Sequence, residues 1–275
     1  QVPAGEYRIR ITPAGSMDVV FDSGTVALAD GADLLVAATN NTGSGDSPVT
    51  LLVADGESAV KLWDANTTAD IRVVHGISDA PAVDVIANNE LVLVDALAFP
   101  MATDYLSVMP ADYLIDVVAD ADNSIVAIDD AAVTLETGMS YTAIANNELA
   151  APELDLLMDM PRRVATEAKV RIIHASPAAG SVDIYVTGDG EIADVDPAFA
   201  GVDYSTDALA ETGYVSLAAG EYFVTVTAAG TKEAAIATGS LMLDAGNVYT
   251  AIAVNGAIEG ALPQLILLDD FVATP

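Results

Sequence analysis

Ala69-Asp-Ile-Arg-Val-Val-His75-Gly-Ile-Ser-Asp-Ala-Pro-Ala-Val-Asp-Val85 occurs twice, the second time without a gap as Ala168-Lys-Val-Arg-Ile-Ile-His174-Ala-Ser-Pro-Ala-Ala-Gly-Ser-Val-Asp-Ile184. Arg72 aligns with Arg171, His75 with His174 and Asp84 with Asp183. The chain's two histidines therefore stand at equivalent positions. Self-similarity of this kind marks serial copies of one supersecondary unit. Ile71 to His75 and Val170 to His174 read as strands, followed by turns rich in Ser, Asp and Pro. Val83 to Ala87 is the next strand, and Asn88-Asn89 turns it tightly into Leu91 to Val94.

The repeat extends outward. Ser140-Tyr-Thr-Ala-Ile-Ala145 returns as Val248-Tyr-Thr-Ala-Ile-Ala253, Ala111-Asp-Tyr113 as Ala219-Gly-Glu-Tyr222, and Leu154 to Leu157 as Leu265 to Leu268. Near the start, Pro3-Ala-Gly-Glu-Tyr7 matches Ala218-Ala-Gly-Glu-Tyr222, and Leu34 to Asn40 matches Val248 to Asn255. The chain thus opens inside a repeat. Residues 1–66 are the C-terminal half of a repeat, and 67–163 and 164–275 are complete repeats. Strand signals come about every 8 to 12 residues, and no segment sustains helical periodicity. The expected fold is all-β: tandem antiparallel β-sandwich, Ig-like domains. Asp196 to Thr212 is expected to be a surface loop or short helical turn. A half-sandwich leaves inner faces and strand edges open. Either its other half lies elsewhere in a longer chain, or a neighbouring subunit supplies it, or the half closes on itself.

Composition sets further bounds. The chain has 275 residues, no cysteine, 41 acidic and 9 basic residues, and a net charge of -32. A polyanion of this kind repels nucleic acid and anionic lipid surfaces, so neither is an expected partner. The charge suits saline surroundings, where screening relieves self-repulsion, and cation binding. With 52% hydrophobic residues, packed cores are expected rather than disorder. A disulfide framework is excluded, and no signal peptide is visible; the start at Gln1 reads as a processed product or part of something longer. The run Gly246 to Leu268 is interrupted by Asn255-Gly256, Glu259 and Pro263, and reads as two strands and a loop rather than a membrane span.

The Arg-Val-Val-His strand, Ser/Asp/Pro turn and Val-Asp-Val strand, with Tyr113 and Tyr222 in a middle motif and Tyr141-Thr142 and Tyr249-Thr250 in a late one, resemble the domain-of-unknown-function family 4397. The second repeat departs from the family pattern at Gly76-Ile77-Ser78 and the third at Ala178-Ala-Gly180. The resemblance implies β-sandwiches on exported or surface proteins of bacteria and archaea, often in tandem. It implies no activity.

Three sets of residues are candidates for chemistry. The first is Arg72, His75 and Asp84, with Arg171, His174 and Asp183. Read as an opening hairpin, it places Asp84 opposite or diagonal to Arg72, an ion pair that fixes register, with His75 capping the turn. The alternative is a general base or metal ligand, for which each unit lacks a nucleophile and a second histidine. The second is Asp189, Glu191, Asp194 and Asp196, carboxylates whose spacing suits convergence on Ca²⁺; the run is not an EF-hand loop, a solvated turn is the expected reading, and no cofactor is expected, with Ca²⁺ as the alternative. Asp120-Ala-Asp122-Asn123 and Asp129-Asp130 form a third, shorter acidic set. Trp63 reads as an inter-domain packing residue, Arg162-Arg163 as a seat for acidic surface, and Asn40 and Asn66 as glycosylation patterns that stay silent in a prokaryote. No P-loop, GxGxxG or GxSxG is present. The expectation is a non-catalytic extracellular structural or adhesive protein, associating head to tail into a fibre by strand complementation of the first unit. The alternative is a monomeric Ca²⁺- or glycan-binding surface module.

Overall fold

A computed structural model describes residues 2–206, 208–258 and 260–269. The chain divides into two compact units. Unit 1 comprises Gln1–Ile71, Leu106–Asp112 and Thr134–Tyr141; unit 2 comprises Arg72–Tyr105, Tyr113–Val133 and Thr142–Pro275.

In unit 1, β1 (Gly5–Ile11) and β2 (Phe21–Leu28) pair antiparallel. A second sheet runs β3 (Leu35–Asn40), β4 (Val49–Ala54), β5 (Ala59–Leu62), also antiparallel. Among the described residues, β1 has no partner besides β2, and β3 none besides β4. β3 carries the signature of an open edge: Leu35 and Val36 are 70% and 44% exposed. Trp63 is half-buried over Gly138, whose backbone takes φ 72°. A Cβ built on Gly138 would lie 2.6 Å from the indole. Only glycine meets both demands, the left-handed backbone and the close approach.

The second repeat continues with β6 (Ala69–His75), β7 (Val83–Ala87), β8 (Leu91–Leu97), β9 (Leu106–Val108), β10 (Ala111–Ala119), β11 (Asp122–Leu135), β12 (Ser140–Asn146) and β13 (Glu153–Asp159). The first residues of β6, Ala69 to Ile71, pair β9 in unit 1. In unit 2, β13, β12 and β6 are neighbours in one sheet, and β11, β10, β7, β8 form the other. Asn88 and Asn89, at φ 53° and 59°, make the tight β7–β8 turn that the Asn-Asn pair predicts.

The third repeat adds β14 (Ala168–Ala175), β15 (Val182–Thr187), β16 (Phe199–Val202), β17 (Ala210–Glu211), β18 (Val215–Leu217), β19 (Gly220–Ala228), β20 (Ala234–Ala237), β21 (Leu241–Leu243), β22 (Val248–Val254) and β23 (Gln264–Asp269). Its sheets run β17-β14-β22-β23 and β16-β15-β19-β20. Most pairs are antiparallel; β14 and β22 are parallel. The fold is an all-β sandwich, as the strand spacing predicts. The run Gly246 to Leu268 resolves into β22, a loop and β23.

Two local expectations change. The excursion Asp196 to Thr212 is not merely a loop, because β16 forms there and extends the edge of β15. The expected opening hairpin is a crossing. β6 and β7 lie in different sheets, as do β14 and β15. The connecting turn is tied down by Gly76 N–H to Ala145 O at 2.7 Å and by the His75 ring. Asp84 is consequently not opposite Arg72.

The crossing places the strands of the motif between two cores. Along β14, Val170 and Ile172 face the third sandwich's own core, with Ala251 and Ala253 of β22. Ile173 and Ala175 face the other way, into a second core with Ile252 and Val254, which also takes Val74 and Ile144 from the second repeat. Both faces of β6 and β14 are buried. Such strands read as nearly continuous apolar runs rather than alternating ones.

Replacing Gly138 with Ala is expected to cost about 1–3 kcal/mol through overpacking against Trp63. Urea unfolding followed by the fluorescence of Trp63, the chain's single tryptophan, reads this directly.

Candidate functional site

Alternation on β6 and β14 aims two arginines into the shared core. Arg72 is 3% exposed and Arg171 0%. A guanidinium cannot shed its proton there, so it must find carboxylates. Arg72 Nη1 donates to Asp269 Oδ1 at 2.6 Å, and its Nε to Thr142 Oγ1 at 2.8 Å. Arg171 Nη2 pairs with Asp159 Oδ1, and its Nη1 lies 3.5 Å from Glu211 Oε2. Asp159 gathers the cluster: its Oδ2 accepts from Thr142 Oγ1 at 2.7 Å and from Tyr105 OH at 2.6 Å, and Arg72 Nη2 is 3.7 Å away. Tyrosine faces cover both cations, Tyr105 at 4.8 Å from Arg72 Cζ and Tyr214 at 4.6 Å from Arg171 Cζ. The pairing is reciprocal. The second repeat's Arg72 takes the third repeat's Asp269, and the third repeat's Arg171 takes the second repeat's Asp159.

The cluster departs from its own symmetry at one place. Arg171 and Thr250 are register partners across β14 and β22. Yet Arg171 Nε and Thr250 Oγ1 are buried without hydrogen-bond partners, whereas the equivalent Arg72 Nε and Thr142 Oγ1 bond to each other. Burial opposes the charge on Arg72, but the hydrogen bond to Asp269 and the fields of Asp269 and Asp159 outweigh it and hold its pKa above the ordinary value. Burial, then Asp159, pushes the Tyr105 hydroxyl well above the usual phenol range.

The histidines stand apart from this cluster. His75 Nε2 bonds Pro81 O at 2.9 Å, and its Nδ1 takes the Ile77 N–H at 3.3 Å. His174 repeats this with Gly180 O at 2.7 Å and the Ser176 N–H at 3.4 Å. A carbonyl needs a donor and an N–H needs an acceptor, so both rings are neutral with the proton on Nε2. Each ring also meets an aromatic edge at 6.1 Å, Phe99 for His75 and Tyr204 for His174. Both nitrogens of each ring are engaged within the fold, leaving neither to accept a substrate proton nor to ligate a metal.

The motif aspartates hold backbone. Asp84 Oδ1 accepts the Ala96 N–H at 2.9 Å, where Ala96 has φ 52°. Asp183 accepts from Gly201 at 2.7 Å and Gly230 at 2.8 Å. Each clamps a left-handed residue of the strand on its outer edge, and this is how β16 is pinned. Asp183 has its pKa lowered, first by the Gly230 N–H and then by that of Gly201.

Asp189, Glu191, Asp194 and Asp196 are all exposed. Asp189 turns back onto the Glu191 N–H at 3.1 Å. The ammonium of Lys232 sits on the same loop, on Ile192 O at 2.8 Å and Val195 O at 2.5 Å. The loop carbonyls thus already have a cation. The acids that converge among the described residues are Asp84, Asp95 and Asp120, and Asp116, Asp129 and Asp130. In the second group Asp116 Oδ1 accepts the N–H of Asp130, a left-handed residue like Ala96, so Asp116 serves its strand as Asp84 does. Arg163 donates to Gly246 O at 3.1 Å and Asn247 Oδ1 at 3.2 Å, tying the linker to the turn before β22.

Reading the sequence places Thr142 in the late motif without giving it this role, and misses Asp159, Asp269, Tyr105 and Tyr214. A signal exists for the aspartates: each ends an apolar final strand, Leu154 to Asp159 and Leu265 to Asp269. Two arginines inside apolar runs call for two such acids.

Residues 69–185, the second repeat and the opening strands of the third, match the family described as Domain of unknown function (DUF4397). The match falls on the repeat motifs that resemble that family in the sequence. No curated protein matches the chain. Among solved structures it is similar to the CBMbc module of family CBM26 from Eubacterium rectale Amy13K, in complex with maltoheptaose, at 9% identity over 75% of this chain and 98% of that chain, TM-score 0.25. It is also similar to a protein from Bacteroides fragilis NCTC 9343 assigned to cell adhesion, at 10% identity over 76% of this chain and 99% of that one, TM-score 0.22. A leucine-rich repeat protein from Bacteroides thetaiotaomicron VPI-5482 follows, at 15% identity over 67% and 25% of the two chains, TM-score 0.18.

Asp159→Ala strands buried Arg171 without its main partner, so the expected loss is about 3–5 kcal/mol in urea unfolding. Asp189→Ala, on an exposed turn, should stay within about 0.5 kcal/mol. Burial holds the pKa of His75 and His174 below the ordinary 6.5, against the pull of their carbonyl partners. The unfolded chain therefore takes up protons first as pH falls. The two imidazoles contribute stability that is full above 6.5 and is lost as pH drops through the lower folded values. Nitrogen-15 NMR of the ring nitrogens should show the Nε2–H tautomer persisting below pH 6.5 at both positions.

Proposed function

We propose that this chain, which matches the DUF4397 family over residues 69–185, is a non-catalytic structural or adhesive protein of a prokaryotic surface. We further propose that it assembles head to tail by strand complementation into unit 1. The observation that carries the reading is the pair of open edges in that unit. By sequence, β1 corresponds to β19 and β3 to β22. In the third repeat β19 pairs with β15, and β22 pairs with β14. The edges of β1 and β3 that are open among the described residues are therefore the ones that β14 and β15 fill in a complete repeat. Beside them lies a groove of about 1020 Å³ whose lining includes Ile9, Leu28, Leu34 and Val36. Exposed strand edges over apolar surface are templates for an added strand. The occupant is a strand pair from a neighbouring copy that takes the positions β14 and β15 hold in the third repeat, and is not β14 and β15 themselves, which are buried in their own sandwich. A contact between two different surfaces of each copy propagates into an open filament rather than a closed dimer. The absence of an available base on either histidine, together with the charge of -32, supports a structural role in saline surroundings.

The natural mature protein at high concentration in salt is expected to form concentration-dependent oligomers by sedimentation and filaments by electron microscopy. A peptide spanning residues 168–187 should compete for the open edges and depolymerise them. Ala37→Pro, which removes an N–H from β3 and bars its pairing, should leave monomers with unit 2 intact. Monomers of the natural protein under these conditions, or filaments indifferent to Ala37→Pro, would overturn the proposal.

A further inference from the structure

The third repeat's core is hollow at one end. A cavity of about 380 Å³ opens there, walled by Val182, Ile184, Val226, Ile236, Ala253 and Leu262. Apart from Leu262, these wall residues belong to the core of that sandwich, so the space continues the core rather than marking a surface dent. Protein interiors are close-packed, and voids of this size are few. Small side chains make the room: Ala178, Ala179, Ala228 and Ala235 also line it. An apolar cavity of about 150 Å³ already takes a benzene ring and stays dry when empty. This one has room for a larger body, on the order of an eight-carbon chain.

A second cavity of about 340 Å³ adjoins the first, sharing Ala178, Gly256, Gly260 and Ala261 with it. Its character differs. Ser78, Asp79, Glu148 and Asn255 line it, and Asp79 and Glu148 are exposed carboxylates. Asp79 is held in place by the Leu149 N–H, at 3.0 Å. The shared wall is preformed: a Cβ on Gly256 would fall 2.6 Å from both Ala261 Cβ and Leu262 O, so the backbone is folded tightly on itself there. Pockets that bind small molecules combine an apolar body with a few placed polar groups. Here the two charged groups, Asp79 and Glu148, are both acidic.

We infer that unit 2 binds a cationic amphiphile at this site, its apolar chain in the 380 Å³ cavity and its ammonium or amidinium head between Asp79 and Glu148. This site owes nothing to the proposed assembly, since every residue lies in unit 2. Anionic amphiphiles of equal length are rejected, because their head would face two carboxylates with no basic side chain among the lining residues.

Titration calorimetry with octyltrimethylammonium, below its micellar concentration and in salt that screens the general acidity, is expected to show saturable 1:1 binding. Octanoate should bind at least about tenfold more weakly, and tetramethylammonium should not bind measurably. Glu148→Gln should weaken the cation by about three- to tenfold, while Asp194→Asn, an acid on another loop, should leave it unchanged. Ala253→Phe should abolish binding by filling the cavity. Where that variant fails to fold by circular dichroism, the half-buried Ala235→Leu provides the same test. Equal affinity for octanoate, equal loss in Asp194→Asn, full binding in Ala235→Leu, or no saturable binding at all would each overturn the inference.

Discussion

Two arginines all but sealed from water must be neutralised inside the protein, and each finds its carboxylate in the other's repeat. Arg72 is held by Asp269, and Arg171 by Asp159. This reciprocity ties most of the second repeat to the third within one compact unit rather than leaving two independent sandwiches. Replacing such pairs by apolar side chains can be energetically neutral, whereas removing one partner is not. Their value here is specification. The shared core of Val74, Ile144, Ile173, Ile252 and Val254 is built of aliphatic side chains with little directional preference. The ion pairs, with Thr142 and Tyr105 on Asp159, admit one registration of the two faces.

The same constraint explains the motif's other members. Once β6 and β14 are buried on both faces, the chain must leave each of them by crossing to the opposite sheet. The histidine ring supports that crossing, bonding the carbonyl at the far side of the turn and an N–H at the near side. The aspartate in the next strand then clamps a left-handed residue in the sheet's outer strand. Arginine, histidine and aspartate look like one site in the sequence. In three dimensions they are three separate fastenings along one path. The turn chemistry can differ between repeats, Gly-Ile-Ser in one and Ala-Ser-Pro in the other, because the ring bonds backbone atoms and not side chains.

Unit 1 and the third repeat show the same strand types with different closure. β14 and β15 complete the third repeat at the edges of β22 and β19, and the corresponding edges of β3 and β1 are open among the described residues. Packing differs within unit 2 as well. The third sandwich leaves the end of its core unfilled, walled by alanines and glycines beside an acidic vestibule. The proposed assembly edge and the inferred ligand site both lie where the repeat departs from its own pattern, while the repeated motif serves the architecture.

The sequence by itself determined the β-sandwich class, the internal matches between segments, the Asn88-Asn89 turn and the two strands within Gly246 to Leu268. These follow from periodicity, turn residues and internal matches, which are local or require only alignment of the chain with itself. It did not reveal that β6 and β7 part into different sheets, because a turn's composition does not say whether the chain folds back or crosses over. It left Arg72 wrongly paired with Asp84 for the same reason. Asp159, Asp269, Tyr105 and Tyr214 were invisible as a cluster, although apolar runs that contain an arginine and apolar runs that end in aspartate were in view. Their meeting is a contact between strands up to 197 residues apart. Such contacts are chosen by which faces bury each other, and burial is a property of the assembled sheets, not of any stretch of chain.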